Sequence, residues 1–284
     1  MCSLDNKVGE HLKGEDKLLY YRSYIINEQT PWVTLIHGAG GSSAIWYRQL
    51  REYKKHFNVL LIDLRGHGKS NQMKWKKGDN FIQIADDIME VVDHEQIEKT
   101  HFVGISLGTI AVQTIAQRYP SRVSSMILSG AVTGIDFRTK FYLTIGNLGK
   151  YILPYMWLYR LFAWIIMPRS NHKEARNTFV ELAKKMCQKE FIRWFSLTKN
   201  INPFLRKLQR DFNDIPTLFV MGEEDYLFLE TVEDVVLSAK SNVKLEYIED
   251  AGHVCNIDQP ERFNHVTMNF LLQNNKTRAT LQQA

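Results

Sequence analysis

Residues 101–118 read HFVGISLGTIAVQTIAQR, and this stretch joins a short apolar run to a segment with the composition of a helix. Ser106 stands between the two parts, inside the G-x-S-x-G pattern of residues 104–108. A serine on a sharp turn between a strand and a helix holds a strained backbone conformation that pushes its hydroxyl out of the sheet. Glycine and serine are common in turns, so the pattern alone is weak evidence. The strand–turn–helix context makes Ser106 a candidate nucleophile.

Strand-like and helix-like segments alternate on both sides of Ser106. The strand-like runs lie at 32–36, 59–62, 123–128, 216–221 and 243–248, and the helix-like segments at 45–57, 81–92, 231–239 and 261–272. Residues 8–27 favour two further short strands joined by a turn. This alternation is typical of right-handed β-α-β crossovers and predicts a mostly parallel sheet. The loops that follow its strands should share one edge, where such sheets bind ligands.

Residues 132–213 interrupt the alternation and contain no clear strand pattern. The run 141–167 is strongly apolar and aromatic, but Pro154 and Arg160 interrupt it. A transmembrane helix needs about 20 consecutive apolar residues, so we expect none here. We predict instead a helical cap or lid at 132–213, inserted into a core made of residues 1–131 and 214–284. Both ends of the insertion meet the ligand-binding edge, so its aromatic side chains should wall a substrate pocket. The candidates are Tyr151, Trp157, Phe162 and Trp164.

The composition is that of a globular enzyme. The chain has 284 residues, of which 44% are hydrophobic, enough for one large core. Its three cysteines have no metal-ligand spacing, which predicts free thiols in a reducing compartment and no metal site. The N-terminus contains no apolar signal-peptide segment, so we expect a cytoplasmic protein.

Positive charge is concentrated in the insertion. From Val132 to Asp214, fifteen Lys and Arg stand against six Asp and Glu, in a chain with a net charge of +5. No nucleic-acid-binding motif accompanies this bias, so we expect no nucleic-acid partner. A solvated, charged helical face is the simpler interpretation, and weak contact of the cap with a membrane surface is the alternative.

A serine hydroxyl becomes a good nucleophile when a base takes its proton and a third group orients that base. Nine histidines and many carboxylates are present, but position narrows the choice. His253 directly follows the last predicted strand, and Asp225 follows the strand before it. Both therefore fall on the edge expected for Ser106. The chain order Ser, Asp, His is that of the α/β-hydrolase triad.

From about residue 10 to residue 273, the chain resembles an α/β-hydrolase. The resemblance rests on five patterns in the same order: His37-Gly38-x-Gly40-Gly41, Asp63-x-Arg65-Gly66-His67-Gly68-x-Ser70, Gly104-x-Ser106-x-Gly108, Gly222-x-x-Asp225 and Gly252-His253. It implies a mostly parallel eight-stranded sheet flanked by helices, with a helical cap insertion.

The same resemblance implies roles for individual residues. Ser106 is the expected nucleophile, His253 the base and Asp225 the residue that orients the base. The backbone amides of Ala39 and Leu107 are the expected oxyanion hole. His37 and His67 belong to family motifs in which a histidine shapes a loop by hydrogen bonds. No cofactor is expected.

By resemblance, the chain is similar to carboxylesterases and is expected to cleave a small to medium, mainly apolar ester through an acyl-enzyme intermediate. Ile105 and Thr109 replace a His and a Gly that many family esterases and lipases carry, which leaves the subfamily open. Ser106 disfavours haloalkane dehalogenases and epoxide hydrolases, which carry Asp at that position. The alternatives are a thioesterase, a lactonase or a C–C hydrolase with the same triad, a small-molecule receptor with little turnover, and a membrane-surface lipase.

Overall fold

The structure is a computed structural model, and it describes residues 5–8, 18–149, 153–199, 201–209 and 214–282. Its strands are β1 (Asp5–Val8), β2 (Tyr21–Ile25), β3 (Trp32–Ile36), β4 (Asn58–Ile62), β5 (Thr100–Ile105), β6 (Val123–Ser129), β7 (Thr217–Gly222) and β8 (Val243–Ile248). They form one eight-stranded sheet in the order β1-β2-β4-β3-β5-β6-β7-β8. β2 pairs antiparallel with β1 and β4, and every other pair is parallel, which confirms the predicted mostly parallel sheet.

The α-helices of the described chain fall into two groups. The first flanks the sheet: α1 (Tyr47–Tyr53), α2 (Phe81–His94), α3 (Leu107–Arg118), α9 (Leu229–Ser238), α10 (Cys255–Asp258) and α11 (Pro260–Gln282). The second lies between β6 and β7 in the sequence: α4 (Phe137–Gly149), α5 (Tyr155–Ile166), α6 (Lys173–Ala183), α7 (Gln188–Leu197) and α8 (Asn202–Leu208).

The sequence explains why these elements form where they do. Every residue of β4, β5 and β7 is buried, which suits strands in the middle of a parallel sheet that is covered on both faces. α2 begins with a capping box in which the Asn80 side chain accepts from the backbone and Gln83 bonds back to Asn80. Its buried residues, such as Ile84 and Ile88, recur at helical spacing and bury one face of the helix.

The strand register brings the functional loops to one edge. Ile36 pairs with Gly104, Ile105 with Ser129, and Gly222 with Ile248. β3, β5, β6, β7 and β8 therefore end at nearly the same level. The loops after β3, β5, β7 and β8 carry Ala39, Ser106, Asp225 and His253, the arrangement that the alternating pattern predicts.

In its described part, the insertion consists of helices joined by short loops. No strand occurs in the described part of 132–213, whereas the predicted division into a core and a separate cap at residues 131 and 214 stays a prediction. The spacing of apolar residues at 173–195 predicts one amphipathic helix, but this prediction is wrong, because the structure has two helices, α6 and α7, separated around Met186. The Tyr155 hydroxyl donates to the Met186 carbonyl at 2.7 Å, a tertiary contact that satisfies this oxygen outside a continuous helix.

Two further features concern the chain as a whole. α11 continues to Gln282, although residues 274–284 resemble a frayed polar tail in sequence. Across the described residues, no helix combines the length and the apolar composition needed to cross a bilayer.

Candidate active site

Ser106 lies on a tight turn between β5 and α3. Its backbone has φ +52° and ψ −127°, in the left-handed half of conformational space that non-glycine residues rarely adopt. The Ser106 amide donates to the Ser129 carbonyl at 2.9 Å, which fixes the turn against β6. A Cβ on Gly108 would lie 2.5 Å from the His37 carbonyl oxygen, so only glycine allows α3 to start this close to the loop after β3.

The structure brings the three predicted triad residues together. His253 Nε2 lies 2.9 Å from Ser106 Oγ, and His253 Nδ1 lies 2.8 Å from Asp225 Oδ2. The Nδ1–H of His253 donates a hydrogen bond to Asp225 Oδ2, which leaves the lone pair of Nε2 facing the serine hydroxyl. The His253 and Asp225 side chains are both almost completely buried. This geometry is what a serine nucleophile, a base and an orienting carboxylate require.

The end of β6 and the loop after β7 hold the imidazole of His253 in place. Gly130 has φ +47°, and a Cβ at this position would collide with the His253 carbonyl oxygen. The Phe228 ring packs against the imidazole with ring centroids 5.0 Å apart. Because contacts fix both the backbone and the ring of His253, its Nε2 stays directed at Ser106.

The two predicted oxyanion-hole residues lie next to the serine and line the same cavity as Ser106. Within the described chain, neither the Ala39 amide nor the Leu107 amide bonds a protein acceptor, whereas the Gly40, Gly41 and Ser106 amides all do. Leu107 is also the first residue of α3, where backbone amides have no partner within the helix. Both amides are therefore available to a negatively charged oxygen.

His37 and His67 shape the loop that carries Ala39. His37 Nε2 accepts from the Leu64 amide at 2.9 Å, and its Nδ1 donates to the Gly38 carbonyl at 2.7 Å. His67 Nε2 accepts from the Gly40 amide at 2.8 Å. Burial lowers the pKa of both imidazoles, that of His67 to well below its usual value, so both stay neutral and keep these acceptor roles.

A cavity of about 360 Å³ opens above Ser106, within the size range of small-molecule sites. Core loops form its floor, and helices of the insertion form its walls. Among the described residues, no Asp, Glu, Lys or Arg side chain lines it, and the lining is almost wholly apolar. Its principal apolar residues are Val132, Ile135, Leu158, Leu161, Phe162, Ile165, Phe179, Met186, Phe191, Trp194, Phe195 and Phe228.

Of the four predicted pocket residues, Phe162 lines this cavity. Trp157 and Trp164 do not, because they lie on the outer face of α5, where their side chains are 65% and 55% exposed. Trp164 instead packs on Arg176, with the guanidinium carbon 3.7 Å from a ring centroid. Tyr151 lies outside the described residues. The prediction for Trp157 and Trp164 is therefore corrected.

The sequence interpretation missed the contribution of α6 and α7 to the cavity. Phe179 and Met186 line the cavity and stand at the spacing of one apolar helix face, but neither is among the pocket residues predicted from the sequence. Phe191 and Trp194 continue the same wall. The signal that the sequence offers is the amphipathic spacing of apolar residues in an insertion whose two ends lie at the ligand-binding edge of the sheet.

Two hydrogen-bonded contacts, which we call the anchor contacts, join the insertion to the catalytic loops. In the first, the buried Tyr159 hydroxyl donates to the Ala39 carbonyl at 3.0 Å. In the second, His172 Nε2 lies 2.7 Å from Glu224 Oε2, beside Asp225 in the chain. Arg169 and Asn171 also bond Glu224. The insertion is thus tied to both the oxyanion loop and the aspartate loop.

Two more titratable groups are buried close to His253. Burial raises the pKa of Asp258 from 3.8 to about 7, although the Gly252 amide donates to its Oδ2 at 2.9 Å. Burial also raises the pKa of the Cys255 thiol to about 12, so this cysteine stays protonated beside Ser129. Among the described residues, no three His, Cys, Asp or Glu side chains are grouped closely enough to hold a metal ion.

Comparisons with known proteins agree with this architecture. A family profile described as the alpha/beta hydrolase fold matches residues 31–152. An uncharacterized carboxylesterase, nap, of Bacillus subtilis is 26% identical over 252 residues, covering 86% of this chain and 80% of the relative. A putative carbamate hydrolase, RutD, of Agrobacterium fabrum is 27% identical over 256 residues, covering 88% and 96%. The crystal structure of a bromoperoxidase from Bacillus anthracis superposes with a TM-score of 0.78 at 20% identity, covering 94% and 99%, which shows the shared fold.

Proposed function

We propose that this chain, a member of the α/β-hydrolase fold superfamily, is a serine hydrolase that cleaves uncharged carboxylic esters of small to medium size. The observation that carries the proposal is the hydrogen-bonded series Ser106–His253–Asp225 beside two unpaired backbone amides at the floor of an apolar cavity. The carboxylesterase name of the Bacillus subtilis relative favours an ester over other acyl compounds.

The proposed reaction has two halves. Ser106 Oγ attacks the ester carbonyl carbon while its proton passes to His253 Nε2, and the carbonyl oxygen becomes an oxyanion that accepts from the Ala39 and Leu107 amides. The C–O bond to the alcohol then breaks, and the alcohol leaves with the proton from His253. Water attacks the acyl-enzyme by the same route, which releases the acid and restores Ser106. Each oxyanion-hole donor lowers the barrier by roughly 3–4 kcal/mol.

The cavity supports an apolar substrate. The described residues of its lining carry no charged side chain, so a buried carboxylate or ammonium of the substrate finds no partner among them, which is costly. Burial of each substrate methylene contributes about 0.8 kcal/mol, so activity should rise with acyl-chain length until the cavity is full. Phe162 lies on this wall, whereas Trp157 lies outside it.

The test compares the wild-type protein with Ser106→Ala and Ser238→Ala on p-nitrophenyl esters from acetyl to decanoyl. Ser238 is an exposed serine at the end of α9, so its replacement is the matched control. We expect Ser106→Ala to lose roughly 10⁴-fold or more in kcat, while Ser238→Ala keeps its activity. A folded Ser106→Ala protein with most of its activity intact would refute the proposal.

The chain-length profile tests the assignment of the cavity. We expect a maximum of kcat/KM at medium length, which shifts in Phe162→Ala and stays in place in Trp157→Ala. A receptor and an enzyme would both react with a fluorophosphonate probe through Ser106, but only an enzyme would also turn over the esters. Stoichiometric labelling of a protein that turns over none of the esters would count against hydrolysis as the function.

A further inference from the structure

Large apolar side chains are exposed mainly on one part of this protein. In the described chain, eleven large hydrophobic residues are exposed, and seven of them belong to residues 137–164. These seven are Phe137, Phe141, Tyr142, Leu153, Trp157, Leu161 and Trp164. The concentration on one segment distinguishes them from the scattered apolar residues that any soluble surface carries.

The outer face of α5 is the best-defined part of this surface. Trp157, Arg160, Leu161 and Trp164 are all exposed, and their spacing of three, four and seven residues places them on one face of the helix. The opposite face packs inward through Leu158 and Ala163. α5 is therefore apolar on both faces, and its outer face carries two exposed indoles and one cation.

The charge of the same segment has a single sign. Residues 137–164 contain four Lys and Arg and no Asp or Glu. Arg160, Trp164 and Lys173 line one surface groove. Among the described residues that line this groove, Glu181 is the acidic one, and its carboxylate pairs with Lys184. A partner for this surface has to be anionic as well as able to accept indole rings.

We propose that the outer face of α5 docks on the surface of an anionic lipid bilayer. Indole rings favour the boundary between lipid headgroups and acyl chains, and nearby Lys and Arg are attracted to anionic headgroups. Leu161 is exposed on this face and also lines the cavity above Ser106. In the docked orientation, the outer wall of the cavity faces the lipid.

Vesicle flotation with the full chain tests the proposal. The vesicles contain phosphatidylcholine alone or an equal mixture of phosphatidylcholine and phosphatidylglycerol. We expect binding to the mixed vesicles at least about tenfold stronger than to the neutral ones, and weaker binding at high salt. Equal binding to both, or no binding to either, would overturn the proposal.

Three variants locate the docking face. Trp157→Glu and Arg160→Glu should each weaken binding to the mixed vesicles by about tenfold or more, since each places a negative charge toward anionic lipid. Leu237→Glu is the matched control, because Leu237 is 85% exposed near the end of α9, which leads back to the start of β8 at the opposite edge of the sheet. Turnover of a soluble short-chain ester and thermal unfolding confirm that the variants are folded. Equal weakening by all three variants, or by none, would overturn the assignment to α5.

Two further measurements examine what the outer face of α5 contacts. Brominated lipids quench indole fluorescence on contact, so mixed vesicles that contain them should quench the wild-type protein more than unbrominated vesicles do. Absence of this quenching in bound protein would contradict insertion of Trp157 and Trp164. Sedimentation at rising protein concentration examines the competing occupant, a second copy of the chain. Self-association that is lost in Trp157→Glu would assign the face to a protein interface and overturn the proposal.

Discussion

Replacement of Ser106 by glycine should stabilise the fold relative to replacement by alanine, although both variants are inactive. Ser106 has φ +52° and ψ −127°, a conformation that costs a residue with a Cβ about 1–3 kcal/mol. Glycine avoids this cost but loses about 0.5–1 kcal/mol through its more flexible unfolded chain. Neither variant has the hydroxyl that bonds His253, so the difference in their stability is the backbone strain less the cost of glycine flexibility. We expect Ser106→Gly to be more stable than Ser106→Ala by about 1–2 kcal/mol.

The assay is thermal unfolding of both variants, together with urea unfolding at one temperature. Unfolding entropy of about 2 cal/mol/K per residue means that this difference should raise Tm by about 2–3 °C. The same pair of substitutions at Ser238, in helical conformation, is the control, and there glycine should be less stable than alanine by up to about 1 kcal/mol. A Ser106→Gly protein less stable than Ser106→Ala, as at the control position, would refute the argument from strain.

Two further predictions concern groups around the site. Burial raises the pKa of Asp258 to about 7, so the folded protein holds this proton more tightly than the unfolded chain does. The resulting contribution to the free energy of unfolding is present in full below about pH 4. It is lost as the pH rises to about 7, by up to about 4 kcal/mol. Asp258→Asn lacks this titrating group, so its free energy of unfolding in urea titrations should increase relative to that of the wild type as the pH rises from 4 to 7. A difference between the two proteins that does not change with pH would contradict the assignment. Tyr159→Phe removes the bond to the Ala39 carbonyl, worth about 0.5–1.5 kcal/mol, and should lower kcat/KM about two- to tenfold. Tyr155→Phe, whose hydroxyl bonds Met186 instead, should keep its activity, and equal losses in both variants would argue against a specific role for the Tyr159 bond.

The sheet and the positions of Ser106, Asp225 and His253 could be predicted because local signals and topology agree on them. Short buried runs such as Val59–Ile62 have few alternatives to a strand, and the residue after a parallel strand falls on a known edge. The hydrogen bonds among the three side chains follow from that placement once the register is fixed. Their distances and their burial could be read only from the structure.

The orientation of α5 could not be predicted from its apolar pattern, because nearly every position in the helix is apolar. Trp157 and Trp164 were expected in the pocket as aromatic side chains of an insertion that meets the ligand-binding edge, and both lie outside the pocket. The one local signal was Arg160, since a cation marks the solvent face and the two tryptophans lie three residues before it and four after it. The anchor contact of His172 with Glu224 joins residues 52 positions apart and has no local sequence signature.

Because the anchor contacts involve only some residues of the insertion, selection acts there on two kinds of position. Phe162 and Ile165 line the cavity, and their replacement reshapes the substrate space without breaking a hydrogen bond to a catalytic loop. Tyr159 and His172 bond such loops directly, so mutations there change substrate fit and catalysis together. Descendants of this protein can therefore acquire new substrates through single substitutions on the inner face of α5. A directed-evolution library that keeps Tyr159 and His172 constant should retain more active members than a library that varies them.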